Sequence, residues 1–137
     1  MKERDVLFSG ELSGHYYFRE NFNLESPVFV ALMMLTLQSI VDKPFSQIWR
    51  PYLKYFHSGE INFDVADKQA AMDRLEKKHA DGKISKIDGL KIDYPTWWFN
   101  VRPSANDPVL RLNLEADTEA EMKEKLAEIS AEIKSQQ

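Results

Sequence analysis

The chain contains no cysteine. That absence excludes disulfide frameworks, thiolate metal sites and cysteine nucleophiles in one step. Histidine is also sparse, at 3 residues, so imidazole-rich metal centres have little to draw on. Positive charge is not in excess: 18 Lys and Arg stand against 22 Asp and Glu, a net charge of −4. A non-specific nucleic-acid binder needs a basic face, and none is indicated. No apolar run reaches the length of a bilayer-spanning helix, since the longest, Val28 to Val41, has fourteen positions and polar interruptions at Thr36, Gln38 and Ser39. Internal repeats and low-complexity segments are absent as well. The opening residues, M-K-E-R-D-V-L-F-S-G, lack a signal-peptide pattern, so a cytoplasmic location is expected.

What is present is the material of a globular domain. Of 137 residues, 43% are hydrophobic and 29% charged, which fits one compact domain or a small domain with an appendage. Two stretches carry polar chemistry between apolar flanks. The first is Gly10-Glu11-Leu12-Ser13-Gly14-His15, between Val6-Leu7-Phe8 and Tyr16-Tyr17-Phe18. Two glycines permit a tight loop from which short polar side chains project. A carboxylate and a hydroxyl suit a sugar diol, and a histidine suits proton transfer near neutral pH. An ordinary hairpin turn accounts for the same composition equally well.

The second stretch runs from Trp97 to Glu115. Trp97, Phe99 and Val101 alternate with Trp98, Asn100 and Arg102; Leu110, Leu112 and Leu114 alternate with Val109, Arg111 and Asn113. This two-residue period predicts two strands. Between them lies a seven-residue loop, Arg102-Pro-Ser-Ala-Asn-Asp-Pro108. Its arginine fork, its hydroxyl and its amide could cradle an oxyanion. Pro, Ser, Asn and Asp are also ordinary turn residues, and composition alone favours a plain turn.

Other elements follow from local signals. Ser26-Pro27 opens a helix over Val28 to Val41 that is apolar nearly all round. Such a helix needs cover on both sides, which suggests a second copy or the rest of a larger protein. Lys43-Pro44 stops it, Phe45 to Phe56 forms a shorter helical or irregular segment, and His57-Ser58-Gly59 is a linker with a solvated histidine. Ile61 to Val65 is a strand, and Asp67 to His79 an amphipathic helix ended by Gly82 as its cap. Ile84 to Ile87 and Leu90 to Ile92 flank Asp88-Gly89, a two-residue hairpin signal. Thr118 and Glu121 form a capping box for a last helix striped with Met122, Leu126, Ile129 and Ile133. The order β-α-β-β-β-α from residue 57 onward gives an α+β fold, an antiparallel sheet of about four strands with two helices on one face.

Together the two loops resemble the C-terminal part of the α-D-phosphohexomutases, the phosphomannomutase/phosphoglucomutase family. The resemblance extends through Gly59-Glu-Ile-Asn-Phe63, Gly82-Lys-Ile-Ser-Lys86, Asp88-Gly89 and Trp97-Trp98-Phe99, and so spans essentially the whole chain. It implies that residues 1–56 are the tail of a third, sugar-binding domain. Residues 57–137 would be a mobile, TATA-binding-protein-like fourth domain that binds phosphate. On that likeness Glu11 and Ser13 hold sugar hydroxyls and His15 is a possible general acid or base. Arg102, Ser104 and Asn106 take the phosphate. The family pattern R-x-S-N-T-x-P is broken by Ala105, which leaves only a backbone N–H, and by Asn106 in place of Thr. Leu12 in the sugar loop favours a hexose over an amino sugar.

The same likeness implies reversible 1-to-6 phosphoryl transfer on a hexose 1- or 6-phosphate. A phosphoserine and Mg2+ take part, and a hexose bisphosphate is the intermediate and activator. Neither a phosphoserine loop nor a D-x-D-x-D magnesium loop is in this chain, so the expectation is an incomplete catalyst that works with the remaining mutase domains. A stand-alone sugar-phosphate-binding or interaction module is the competing expectation. Nucleic acid and membrane are not expected partners, and self-association through Val28 to Val41 is.

Overall fold

A computed structural model describes residues 5–11 and 13–135. The chain divides into two compact units, Met1–Tyr52 and Leu53–Gln137. Leu12 lies outside the described residues.

The first unit begins with a three-stranded antiparallel sheet of β1 (Phe8–Gly10), β2 (Tyr16–Phe18) and β3 (Leu24–Glu25). Gly10 pairs with Tyr16, so the Glu11–His15 loop is the tip of a hairpin. An aromatic cluster anchors it: Phe18 stacks edge-on against Phe29 at 4.7 Å and lies 5.3 Å from Phe8. Phe18 is the buried residue of this unit among those described. Then comes α1 (Pro27–Ile40), capped by the Ser26 hydroxyl accepting from the Phe29 N–H at 3.1 Å. No residue of α1 is buried. Val28, Leu32, Leu35 and Ile40 are all more than half exposed, so the helix has its apolar surface and no cover for it. A short α2 (Phe45–Trp49) and a single 3-10 turn through Tyr52 follow. Among the described residues no single helix is long and apolar enough to cross a membrane. The α1 segment and the turns after it meet that test only as a pair bent by 95°.

The second unit is a helix-backed antiparallel sheet. Its strands are β4 (Phe56–His57), β5 (Ile61–Asp64), β6 (Lys83–Ser85), β7 (Leu90–Asp93), β8 (Trp97–Pro103) and β9 (Val109–Ala116). They run β4-β9-β8-β7-β6, with β5 also on β9. β4 and β5 lie end to end along one edge of β9, pairing with residues 115–116 and 109–112. The four longer strands fit the expected sheet of about four; β6 is the shorter, earlier form of the arm expected at Ile84 to Ile87, and β4 is an addition. Both helices, α3 (Lys68–Lys78) and α4 (Glu119–Lys134), cover one face. Into that layer the alternating residues project: Leu90 and Ile92, Phe99 and Val101, Leu110, Leu112 and Leu114, meeting Ala71 and Leu75 of α3 and Ile129 and Ile133 of α4. Phe99 is completely buried, and truncating such a ring costs about 3–5 kcal/mol.

Four local expectations are corrected. Ser58 is not a linker residue: its N–H donates to the Leu114 carbonyl at 2.8 Å and its hydroxyl accepts from the Leu114 N–H at 3.0 Å, joining β4 to β5 along β9. The loop after β8 has five residues, Ser104–Pro108, because Arg102 and Pro103 continue the strand opposite Arg111 and Leu110. The β6–β7 connection has four residues, 86–89, since Ser85 pairs with Lys91 and the Asp-Gly pair forms only its end. Gly82 is no left-handed cap, as α3 ends at Lys78 with His79 as C-cap. Gly82 is needed for space: a Cβ there would sit 2.4 Å from the Ile92 side chain.

His79 is a buried histidine with both ring nitrogens engaged, Nδ1 to the Tyr94 hydroxyl at 2.9 Å and Nε2 to Glu132 at 3.0 Å. It ties α3, β7 and α4 together beside Trp97 and Phe99. Tyr94 in turn donates to Asp81 at 3.1 Å. Burial first, then that bond, pushes the tyrosine up to about 12.

Candidate functional site

The two candidate loops belong to different units. At the β1–β2 tip, backbone bonds from the Glu11 N–H to the His15 carbonyl (2.9 Å) and from the Gly14 N–H to the Glu11 carbonyl (3.0 Å) close the turn. Gly14 takes φ +84, a left-handed conformation that glycine adopts without strain. The turn gathers all three predicted side chains. The Ser13 hydroxyl donates to Glu11 Oε2 at 3.0 Å and lies 2.8 Å from His15 Nδ1. With its own proton given to Glu11, Ser13 can only accept from His15, which assigns the imidazole proton to Nδ1.

Tyr17 completes the cluster by donating to Glu11 Oε1 at 3.0 Å. This bond first, then the one from Ser13, outweigh desolvation and, with a smaller pull from His15, hold the Glu11 carboxyl below the usual carboxylate range. The same bond raises the Tyr17 hydroxyl. Tyr17 was missed in sequence because it sits in an apolar aromatic run. The alternation of β2 was the available signal, for Tyr17 pairs with Ser9 and Glu25 while Phe18 turns to the core. Glu25 also stands 3.9 Å from His15 Nε2. Chemically this is a fixed acceptor, two hydroxyls and an imidazole on one small exposed surface.

In the second unit, the face of the sheet away from the helices carries Lys91, Asp93, Trp98, Asn100, Arg102, Arg111, Asn113 and Glu115. Arg102 and Arg111 are direct cross-strand partners. Like charges so placed repel and need a counter-charge. Glu60, just before β5, supplies one, with Oε1 at 3.2 Å from Arg111 Nη1 and Oε2 at 3.7 Å from Arg102 Nη2. Asp88 lies 3.8 Å from Arg102 Nη1, and Asp107 3.0 Å from Arg111 Nη2.

The loop itself is organised by Ser104. Its N–H donates to the Val109 carbonyl at 2.9 Å, and its Oγ accepts from the Asp107 N–H at 3.1 Å. The hydroxyl proton goes to Asp107 Oδ2 at 3.2 Å. Asn106 is exposed at the tip, beside Ala105. Gly89, at φ +74, lets the β6–β7 loop pass directly over the base of Arg102: an added Cβ would lie 2.6 Å from the Arg102 Cβ and 2.4 Å from the Val101 carbonyl. Sequence reading placed Arg102, Ser104 and Asn106 here and missed Arg111 and Glu60. Arg111 was recoverable from the strand period once the hairpin register was known. Nothing local marks Glu60, which arrives from a different strand. Among the described residues no group of three His, Asp or Glu side chains is placed to hold a metal ion.

A helix-backed antiparallel sheet with an arginine pair beside a short hydroxyl- and amide-bearing loop defines the class: an α+β domain with its polar groups gathered on the open face of the sheet. The profile of the phosphoglucomutase/phosphomannomutase C-terminal domain matches residues 60–132. The chain belongs to this family. It is 44% identical over 129 residues to the phosphomannomutase of Methanocaldococcus jannaschii, covering 94% of this chain and 29% of that protein. It is 34% identical over 139 residues to the phosphomannomutase/phosphoglucomutase of Pseudomonas syringae pv. tomato, covering 98% of the chain and 30% of that protein. Thus the chain spans less than a third of the length of these relatives. The crystal structure of a phosphoglucomutase/phosphomannomutase family protein from Burkholderia thailandensis superposes with a TM-score of 0.75 over 97% of the chain and 30% of that protein, at 23% identity, a likeness of fold.

Proposed function

We propose that this chain is the substrate-holding C-terminal portion of a phosphohexomutase acting on a hexose 1- or 6-phosphate. The first unit is the tail of its sugar-binding domain, and the second unit, which takes in β4 (Phe56–His57), its phosphate-binding domain. The observation that carries the reading is the Arg102–Arg111 cross-strand pair beside Ser104, within the region matched by the family profile. Two guanidinium forks on one face suit the three terminal oxygens of a phosphate monoester.

In this reading Arg102, Arg111, Ser104 and Asn106 clamp the phosphate that is not reacting. Glu11 and Ser13 index the sugar hydroxyls, and Tyr17 keeps Glu11 ionised and aimed. His15, whose Nδ1 meets the Ser13 hydroxyl, is the proposed general acid or base of this loop. Clamping one phosphate while orienting the other end of the sugar is positioning catalysis, the main resource of phosphoryl-transfer enzymes. The phosphoserine and the Mg2+ ligands would come from the remaining domains, and the isolated chain is expected to be inactive. Those domains are also the proposed cover for α1; without them the exposed Val28, Leu32, Leu35 and Ile40 favour self-association.

Titration of the chain with glucose 1-phosphate or mannose 1-phosphate, followed by amide NMR, tests the assignment. Shifts centred on residues 102–111 at millimolar ligand are expected. Shifts confined to other regions would overturn it.

A further inference from the structure

Carboxylates already flank Arg102 and Arg111. Glu60 bridges the two, one oxygen to each, and Asp88 and Asp107 take the outer arms. Three carboxylates thus surround two guanidiniums on the surface where a phosphate would dock. Glu60 differs from the other two. Its side chain is 29% exposed, against 75% for Asp88 and 56% for Asp107, so its charge is the least screened. It is also the carboxylate that spans both arginines. A second observation concerns Arg111: its Nε is a buried donor with no hydrogen-bond partner. The fork is therefore drawn towards Glu60 and Asp107 in an arrangement that leaves one donor unmet, and a different acceptor could satisfy it better.

We infer that Glu60 is an internal placeholder for the phosphoryl group: it neutralises the arginine pair in the empty site and yields it to a dianionic phosphate monoester. This rests on the phosphate-site reading given above. Without a counter-charge the registered arginines would repel and splay apart. With Glu60 between them they stay side by side, ready for a tetrahedral anion. The cost falls on affinity, because an incoming dianion meets a fixed carboxylate. A singly charged anion gains half as much from the arginines and displaces Glu60 less readily, so the exchange selects for phosphate monoesters.

The test is Glu60→Gln in the full chain, which keeps size and a carbonyl acceptor and removes the charge. Inorganic phosphate is titrated in, and the Arg102 and Arg111 Nε–Hε signals are followed at low and high salt. Phosphate should bind about three- to tenfold tighter to the variant at low salt, with the gain shrinking at high salt, as a screened charge pair would. The Arg111 Nε–Hε signal should move on binding in both proteins. Asp107→Asn, which frees only one arginine, should give a smaller gain. Equal or weaker phosphate binding by Glu60→Gln, with native shifts still at 102–111, overturns the placeholder role and leaves the site standing. Failure of phosphate to shift either arginine in either protein overturns the site and the inference together.

Discussion

The two arginines should not contribute equally, and the reason lies in what each must release. Arg102 Nη atoms stand 3.7 and 3.8 Å from Glu60 and Asp88, beyond hydrogen-bond length, and exposed pairs of that kind are worth about 0–1 kcal/mol. Arg102 therefore gives up almost nothing to bind phosphate. Arg111 holds Glu60 at 3.2 Å and Asp107 at 3.0 Å and must trade those contacts away. A hydrogen bond to a charged group contributes about 1.5–3 kcal/mol, so Arg102→Ala should lose that amount of hexose 1-phosphate affinity. Arg111→Ala should lose only about 0.5–1.5 kcal/mol, the same bond less the pairs exchanged. From a millimolar native constant, Arg102→Ala moves to about 10–150 mM, where the initial slope of the NMR shifts is the usable measure. The double variant should fall short of the sum by at least about 0.5 kcal/mol, since both forks grip one anion. Equal losses, or a larger loss for Arg111→Ala, would refute the exchange argument.

Tyr94 makes stability fall in alkali. Its folded value, about 12, lies above its ordinary 10.0, so its contribution is complete below pH 10 and declines as pH rises towards 12. Tyr94→Phe should flatten that part of the denaturation profile; an unchanged slope would count against the burial of the Tyr94 hydroxyl and its bond to Asp81. At the other hairpin, Glu11 should titrate below the usual 4.5 in carboxyl-carbon NMR, and Tyr17→Phe should raise it; any stability it adds is present above 4.5 and lost as pH falls further. Gly89→Ala should cost more than about 1 kcal/mol, from left-handed backbone strain and the clash at Val101 and Arg102, and should also disturb phosphate binding. A neutral Gly89→Ala would mean the loop moves aside freely.

The strands of the second unit were legible because burial imposes alternation: Phe99, Val101, Leu110, Leu112 and Leu114 announce one face wherever they occur. The helix caps Ser26 and Thr118 were legible because each cap is local, while Asp67, which caps α3, was read only as the first residue of its helix. Errors arose where partners come from afar. Proline at 103 looked like a loop border, yet pairing with Leu110 keeps it in the strand. Gly82 looked like a cap, yet Ile92, on another strand, dictates it. The sites split along the same line. Glu11, Ser13 and His15 share one loop and were visible together, whereas Glu60 meets Arg102 and Arg111 only through the strand order β5-β9-β8. Strand order is not written in any window of sequence.

Strand β8 places its two sets of side chains by a single alternation. Trp97, Phe99 and Val101 are buried at 9%, 0% and 0% exposure, while Trp98, Asn100 and Arg102 face outward. Inserting or deleting one residue before Arg102 would exchange the sets, driving the arginine into the core and an apolar side chain out to the anion site. The length of this strand is therefore as constrained as its composition: the pairing that buries Phe99 and Val101 is the one that aims Arg102 outward, and a frame that loses one loses both.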